Sequence, residues 1–186
     1  MKLAFRILPA IGLVVALAME AASQNVTTTL DSIDRVTTAF DEVNGQIQDF
    51  IGSRILGQSN DVDELLGALL GLDHLADVLG HEIQIFDDND NPQPLDGNDS
   101  DVVLDAIFQL EGAAATMLDG IEVLRGTFSK FVEVTRIADG ITQLGDDSES
   151  YVEAILDVIP SERDMGSQLL EKLDDYFAKA AAIYGR

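Results

Sequence analysis

The chain has 186 residues, with 34 Asp or Glu against 11 Lys or Arg, which gives a formal net charge of −23 at pH 7. Such an acidic surface repels phosphate backbones and anionic headgroups, so nucleic acid and anionic membranes are not expected partners. The chain contains no cysteine, which excludes disulfides, thiolate metal sites and cysteine nucleophiles.

The first residues, MKLAFRILPAIGLVVALA, are typical of a secretory signal peptide. Lys2 and Arg6 supply the positive start, an apolar stretch follows, and Ala16-Leu17-Ala18 fits a cleavage site. The apolar stretch is shorter than the ~20 residues that a membrane span needs, so no span is predicted. We therefore predict a signal peptide at 1–18, with cleavage possible up to 23, and a protein secreted to the medium or the cell wall.

Apolar residues recur at spacings of three and four through the rest of the chain, which predicts helices and no strands. The first two stripes are Val26, Leu30, Ile33, Val36, Phe40, Val43, Ile47 and Phe50, and then Val62, Leu65, Leu69, Leu72, Ala76, Leu79, Ile83 and Phe86. A third stripe runs from Val103 to Phe131. Gly112 could split it into two helices, because glycine costs about 1 kcal/mol in a helix interior.

A fourth stripe runs from Val134 to Val158, with a kink or a break expected at 145–148. Pro160 ends it, and Ser161 to Asp164 predict a capping box at the start of the last helix. The sequence thus predicts an all-α, single-domain bundle of about five helices over 24–186, held together without disulfides.

An acidic loop, 86-FDDNDNPQPLDGNDSD-101, is predicted between the second and third helices. It is not an EF-hand, because a loop starting at Asp87 puts Pro92 at the glycine position, and one starting at Asp96 puts Asp101 there. Weak cation binding by its carboxylates stays open. The prolines and Asp96-Gly97 favour a solvated link, with Asp99 or Ser100 as the cap of the next helix.

Two N-glycosylation sequons are present, at Asn25 and at Asn98, and both are expected on exposed segments. His74, Asp77 and His81 share one face of the second helix and could hold a divalent metal. Such spacings are unspecific, so surface histidines and no metal site are predicted. No catalytic motif occurs, so we predict a protein that is not an enzyme and has no cofactor.

The apolar stripes alternate large residues with small ones, among them Gly67, Gly71, Ala113 to Ala115 and Ala180 to Ala182. This pattern fits close helix packing and equally an apolar cavity of ligand size. The pattern alone does not separate the two.

Several segments, 30-LDSIDRVTTAFDEV-43, 117-MLDGIEVLRGTFSKF-131, 152-VEAILDVIPSE-162 and 169-LLEKLDDYFAKAAAIY-184, resemble the fungal hydrophobic surface-binding protein and cell wall galactomannoprotein family. The resemblance extends over nearly all of the mature chain. It implies a secreted helical bundle that adsorbs to hydrophobic surfaces and that, in related domains, encloses a lipid or fatty acid chain. It also admits cell wall polysaccharide as a partner.

We therefore expect a non-enzymatic protein. Through an apolar bundle interior it would bind either lipids, namely a fatty acid or a neutral acyl chain, or hydrophobic surfaces. The expected lining residues are Phe40, Leu69, Phe108, Met117, Leu124, Phe128 and Phe177, with Arg125 and Lys130 for a carboxylate headgroup. The alternative is a structural cell wall glycoprotein or antigen without a ligand.

Overall fold

The computed structural model describes the backbone of residues 8–55, 61–87, 94–131 and 134–185. Side chains are described within these ranges except at 8–25, 53–55, 61–69, 87, 128–131, 134 and 136. The helices are α1 (Leu8–Ile55), α2 (Asp61–Asp87), α3 (Gly97–Phe131), α4 (Val134–Val158) and α5 (Arg163–Tyr184), and a 3-10 turn at Pro160–Glu162 precedes α5. No strand occurs in the described ranges, and the predicted all-α bundle of five helices is confirmed.

The five helices close a ring in which each packs mainly against two others. The order around the ring is α1, α2, α4, α5 and α3, and α3 packs back against α1. Gly71 lies beside Val43 while Glu82 lies beside Ser32, so α1 and α2 are antiparallel. The buried stripes of the helices therefore face the middle of one ring.

The core fills this ring with large apolar side chains from every helix. Residues at most 2 % exposed include Ile33, Phe40, Ile47, Leu75, Leu79, Ile107, Met117, Ile121, Ile141, Ile155, Leu173 and Phe177. Burying each such side chain stabilises the fold by roughly 1.5–3 kcal/mol. Packing of this extent explains how the chain dispenses with disulfides.

Two glycines at which the sequence suggested breaks lie inside unbroken helices. Gly112 lies within α3, with open space around the position of its absent side chain. Gly145 lies within α4, where an added Cβ would be only 3.0 Å from the Cβ of Phe177. The missing side chain at Gly145 therefore lets α5 approach α4 closely, and this contact offsets the low helix propensity of glycine.

The helix starts differ from the predicted caps. The backbone N–H of Asp99 donates to Oδ1 of Asp96 at 3.1 Å, so Asp96 caps α3 rather than Asp99 or Ser100. At α5 the capping box is not formed, because Glu162 stands at the N-cap without a side-chain hydrogen bond. There the 3-10 turn that begins at Pro160 leads the chain into the helix instead.

The link between α2 and α3 is shorter than the predicted loop, because α2 continues to Asp87 and α3 begins at Gly97. The backbone N–H of Leu95 donates to the carbonyl of Val158 at 2.8 Å, which ties the end of this link to the end of α4. Residues 88–93, with the centre of the acidic stretch, lie outside the described ranges. Within the described part, no helix is long and apolar enough to cross a membrane. The signal peptide and its cleavage remain predictions.

A matched pair of glycine substitutions tests the α1–α3 contact. A Cβ at Gly120 would lie 2.8 Å from Cγ2 of Ile47, whereas a Cβ at Gly112 meets nothing within 4 Å. We expect Gly112→Ala to raise the free energy of unfolding by about 1 kcal/mol through helix propensity. Gly120→Ala should lower it by about 1 kcal/mol net, because the buried Ile47 must move. Urea unfolding measures both, and equal stabilisation by the two variants would contradict the packing described.

Candidate functional site

Four of the expected lining residues lie in the core. Phe40 of α1, Met117 and Leu124 of α3, and Phe177 of α5 are each at most 2 % exposed. Side chains this buried have no water-sized space beside them, so the core is closed around these four. At these positions the structure shows close packing.

The other expected residues are not brought to this core. Phe108 is 37 % exposed, on the outer side of α3, and Arg125 is also exposed. The side chains of Leu69, Phe128 and Lys130 lie outside the described residues. Their roles therefore stay predictions.

A buried polar cluster, which we call the Tyr151 network, joins α1, α2 and α4 and consists of Ser32, Arg35, Glu82 and Tyr151. Arg35 donates to Glu82 through Nε (2.7 Å) and through Nη2 (2.9 Å). The Ser32 hydroxyl donates to Oε2 of Glu82 at 2.7 Å and lies 2.9 Å from the Tyr151 hydroxyl. Glu82 is 1 % exposed, and Ser32 and Tyr151 are fully buried.

The network holds Glu82 as a buried carboxylate. Burial acts to raise the pKa of Glu82, but the hydrogen bonds from Arg35 and Ser32 and the charge of Arg35 outweigh it, so the pKa lies below its usual value. The hydrogen bond to Glu82 raises the pKa of Arg35 in turn. Burial raises the pKa of Tyr151 well above the ordinary range, so its hydroxyl stays protonated. The phenol ring meets Phe86 edge-on, with centroids 6.0 Å apart.

Sequence reasoning missed this network, although a signal for it was present. Glu82 falls in a three-four series with Leu75, Leu79 and Phe86, and Ser32 lies four residues before Val36. A polar residue at such a position is expected in the core, where it needs hydrogen-bond partners. A single sequence does not reveal those partners, because they lie on other helices.

A cleft opens between α1 and α2. Two adjoining depressions of about 320 and 450 Å³ share Ala39, Glu42 and His74. The larger one is also lined by His81 and by the Arg35–Glu82 pair. Both histidines are exposed, as predicted, and the cleft brings them to one surface. Asp77 does not line it.

No group of three or more His, Asp or Glu side chains among the described residues has a geometry that could hold a metal ion. The three acidic residues of the larger depression are Asp34, Glu42 and Glu82, and Arg35 already holds the last of them. The cleft is open to solvent, and its lining mixes charged side chains with the apolar Ala39, Val43, Leu70 and Val78.

The structure describes the asparagine side chain of one of the two sequons. Asn98 is exposed in the first turn of α3, whereas the side chain of Asn25 lies outside the described residues. Ser100, the third residue of the Asn98 sequon, is buried, and its hydroxyl lies 3.4 Å from the carbonyl of Leu95. Glycosylation of either site stays a prediction.

No family model and no curated protein matches the sequence. Among solved structures, the fold is similar to that of AfMp4p, an Aspergillus fumigatus mannoprotein, in a crystal structure in complex with palmitic acid. The TM-score is 0.72, and the match covers 86 % of this chain and 99 % of that one at 18 % sequence identity. The likeness is one of fold. The chain thus shares the helical-bundle fold of that protein.

The energetic role of the network is tested by Arg35→Ala, which leaves the Glu82 carboxylate buried without its charged partner. We expect a loss of about 2 kcal/mol in the free energy of unfolding, less than the ~3–5 kcal/mol of a fully buried pair. The smaller value reflects the Arg35 side chain, which is 49 % exposed. The control is Arg163→Ala, since the Arg163–Asp157 pair is exposed on both sides and should change stability by under about 0.5 kcal/mol. Equal losses in the two variants would refute the role given to burial.

The pH dependence follows from the lowered pKa of Glu82. Its ionised form stabilises the fold above the unfolded-state pKa of about 4.5, and this contribution is lost as the pH falls through the lower folded-state pKa. We expect the stability difference between the wild type and Glu82→Gln to be constant from about pH 7 to 5 and to shrink below about pH 4.5. Urea unfolding across this range measures it, and a difference that grows on acidification would contradict the assignment.

Proposed function

We propose that this protein is a secreted, non-enzymatic lipid carrier or hydrophobic-surface binder of the medium or cell wall, which takes an acyl chain into the interior of its five-helix ring. The observation that carries the proposal is the similarity of the fold to a mannoprotein crystallised with palmitic acid. The ring itself supports it, because its apolar stripes converge on one continuous core.

The dimensions of the core suit an acyl chain. From Ser32 to Ile47, both buried, α1 rises by roughly 22 Å at ~1.5 Å per residue. An acyl chain in a bilayer spans about 15 Å, half of the ~30 Å hydrocarbon thickness. A chain lying along the ring axis would therefore fit within the length of the buried stripe.

Uptake would require the core to repack, since its described side chains are closely packed without a ligand. Met117 is suited to this because its thioether side chain is unbranched and flexible. It lies near Ala113 and Ala114 on the same helix, and all three are buried. Each CH₂ of a ligand transferred from water would contribute about 0.8 kcal/mol, and the cost of rearranging the core offsets part of that gain.

A second candidate is a structural cell wall glycoprotein that holds no ligand. The closed packing around Phe40, Met117, Leu124 and Phe177 favours it, because such a core needs no ligand to be complete. The exposed Asn98 supplies a predicted site for a glycan. Cell wall polysaccharide would be the partner of this form.

The lipid proposal is tested by native mass spectrometry and equilibrium binding with hexadecane and palmitic acid as probes. Ala114→Leu adds bulk to a fully buried position of α3 and should weaken binding at least fivefold, since an overfilled core resists insertion. The matched control is Ala115→Leu, at the neighbouring, partly exposed position, which should bind like the wild type.

Three outcomes are decisive. Binding that Ala114→Leu weakens and Ala115→Leu leaves unchanged supports an internal site. Binding that neither variant changes would place the lipid outside the ring interior and overturn the internal site. Binding of neither probe by the folded wild type would overturn lipid binding and leave the structural role.

A further inference from the structure

The described interior contains one charged side chain, and it is negative. The buried polar residues among the described side chains are Thr29, Ser32, Glu82, Ser100, Thr127 and Ser148. The described bases are at the surface: Arg35, Arg163 and Lys179 each pair with a carboxylate, and Arg125 and Lys172 are exposed. An anionic headgroup entering the described interior would therefore find no unpaired base, and it would meet Glu82 with Arg35 already engaged by it.

The protons of the Tyr151 network are already assigned by its geometry. An ionised carboxylate only accepts hydrogen bonds, so the single proton of Ser32 goes to Oε2 of Glu82. Ser32 then accepts from Tyr151, whose proton is used in turn. The phenol oxygen of Tyr151 is left with a free lone pair and no proton to donate.

This lone pair belongs to a side chain inside the ring. Tyr151 lies on α4, and its hydroxyl reaches Ser32 on α1, although α2 stands between these two helices in the ring order. Glu82 and Phe86 of α2 complete the surroundings. The network is thus a polar cluster at one level of a mostly apolar core.

Resting on the lipid-binding function proposed above, we propose that the Tyr151 network selects lipids whose polar end is a neutral hydroxyl and rejects ionised fatty acids. A hydroxyl can donate its proton to the free lone pair of Tyr151. A carboxylate has only lone pairs to offer, beside a phenol without a spare proton and a Glu82 carboxylate that already occupies Arg35. The ligand class is long-chain alcohols and acylglycerols or other lipids with a free hydroxyl.

The selectivity comes from an unfavourable contact as much as from a favourable one. Buried polar groups that are left unpaired weaken binding strongly, and like charges brought together in an apolar core repel. We expect a difference of about tenfold in affinity, well below the 10⁴-fold that a site with several matched polar contacts can reach. The acidic exterior acts in the same direction, since it slows the approach of an anion.

The test compares three probes of equal chain length, hexadecane, 1-hexadecanol and palmitate, in competition binding at pH 7.5. The full-length folded protein should bind 1-hexadecanol at least tenfold more tightly than palmitate. Tyr151→Phe removes the acceptor and should lower the affinity for 1-hexadecanol about fivefold while leaving hexadecane unchanged. The matched control is Tyr176→Phe, which removes a phenol hydroxyl from a partly exposed position on α5 and should alter none of the three affinities.

A second variant, Glu82→Gln, removes the buried charge and should raise the affinity for palmitate at least fivefold relative to that for 1-hexadecanol. A thermal melt first confirms that each variant is folded. If palmitate binds the wild type as tightly as 1-hexadecanol, or Tyr151→Phe weakens all three probes equally, the selectivity is overturned while lipid binding stands. If the folded wild type binds none of the three, the proposed function itself is overturned.

Discussion

The buried carboxylate of Glu82 is the constraint on which the arrangement of α1, α2 and α4 depends. An ion in an apolar core is tolerated only if its hydrogen bonds are satisfied, and here Arg35 and Ser32 of α1 supply the donors. Tyr151 of α4 extends the same chain of hydrogen bonds. A shift of α2 by one turn would separate these groups and leave a buried charge unpaired. Apolar packing tolerates small slips between helices, whereas this network permits one register.

The number of helices and the buried faces of α1, α3 and α4 could be predicted from the sequence because each stripe is a local property of 20 to 30 residues. On α2 the predicted stripe was wrong, since only Leu79 of its described members is buried and Leu75 and Glu82 lie inside instead. The places where prediction failed are those where a distant residue decides the outcome. Gly145 suggested a break because glycine is a poor helix former. In the structure a side chain at this position would collide with Phe177, so glycine is needed for α4 and α5 to pack closely. Glu82 and Ser32 were overlooked because their partners lie on other helices. Of the candidate lining residues, Phe40, Met117 and Leu124 belong to regular stripes and are buried, and Phe177 is buried as well, whereas Phe108 belongs to no stripe and is exposed.

The distribution of charge separates the chain into two chemical environments. Nearly all of the acidic residues described lie on the outside, where water screens them and they keep the protein in solution. Among the described side chains the interior holds a single carboxylate, and its partner base reaches it from the surface. A molecule that enters such a bundle must leave water and displace close-packed side chains. It then meets the phenol oxygen of Tyr151, which can only accept a further hydrogen bond. Each of these steps favours a neutral, flexible, largely apolar ligand.

The buried position of Ser100 sets the order of events for any sugar added at Asn98. The side chain of Asn98 is exposed, but the serine hydroxyl that completes the acceptor sequence is enclosed at the start of α3. An enzyme that must read that hydroxyl would reach it only while α3 is still unformed. A glycan at this site would thus be attached to the nascent chain, before the ring closes, because the folded bundle would be a poor acceptor.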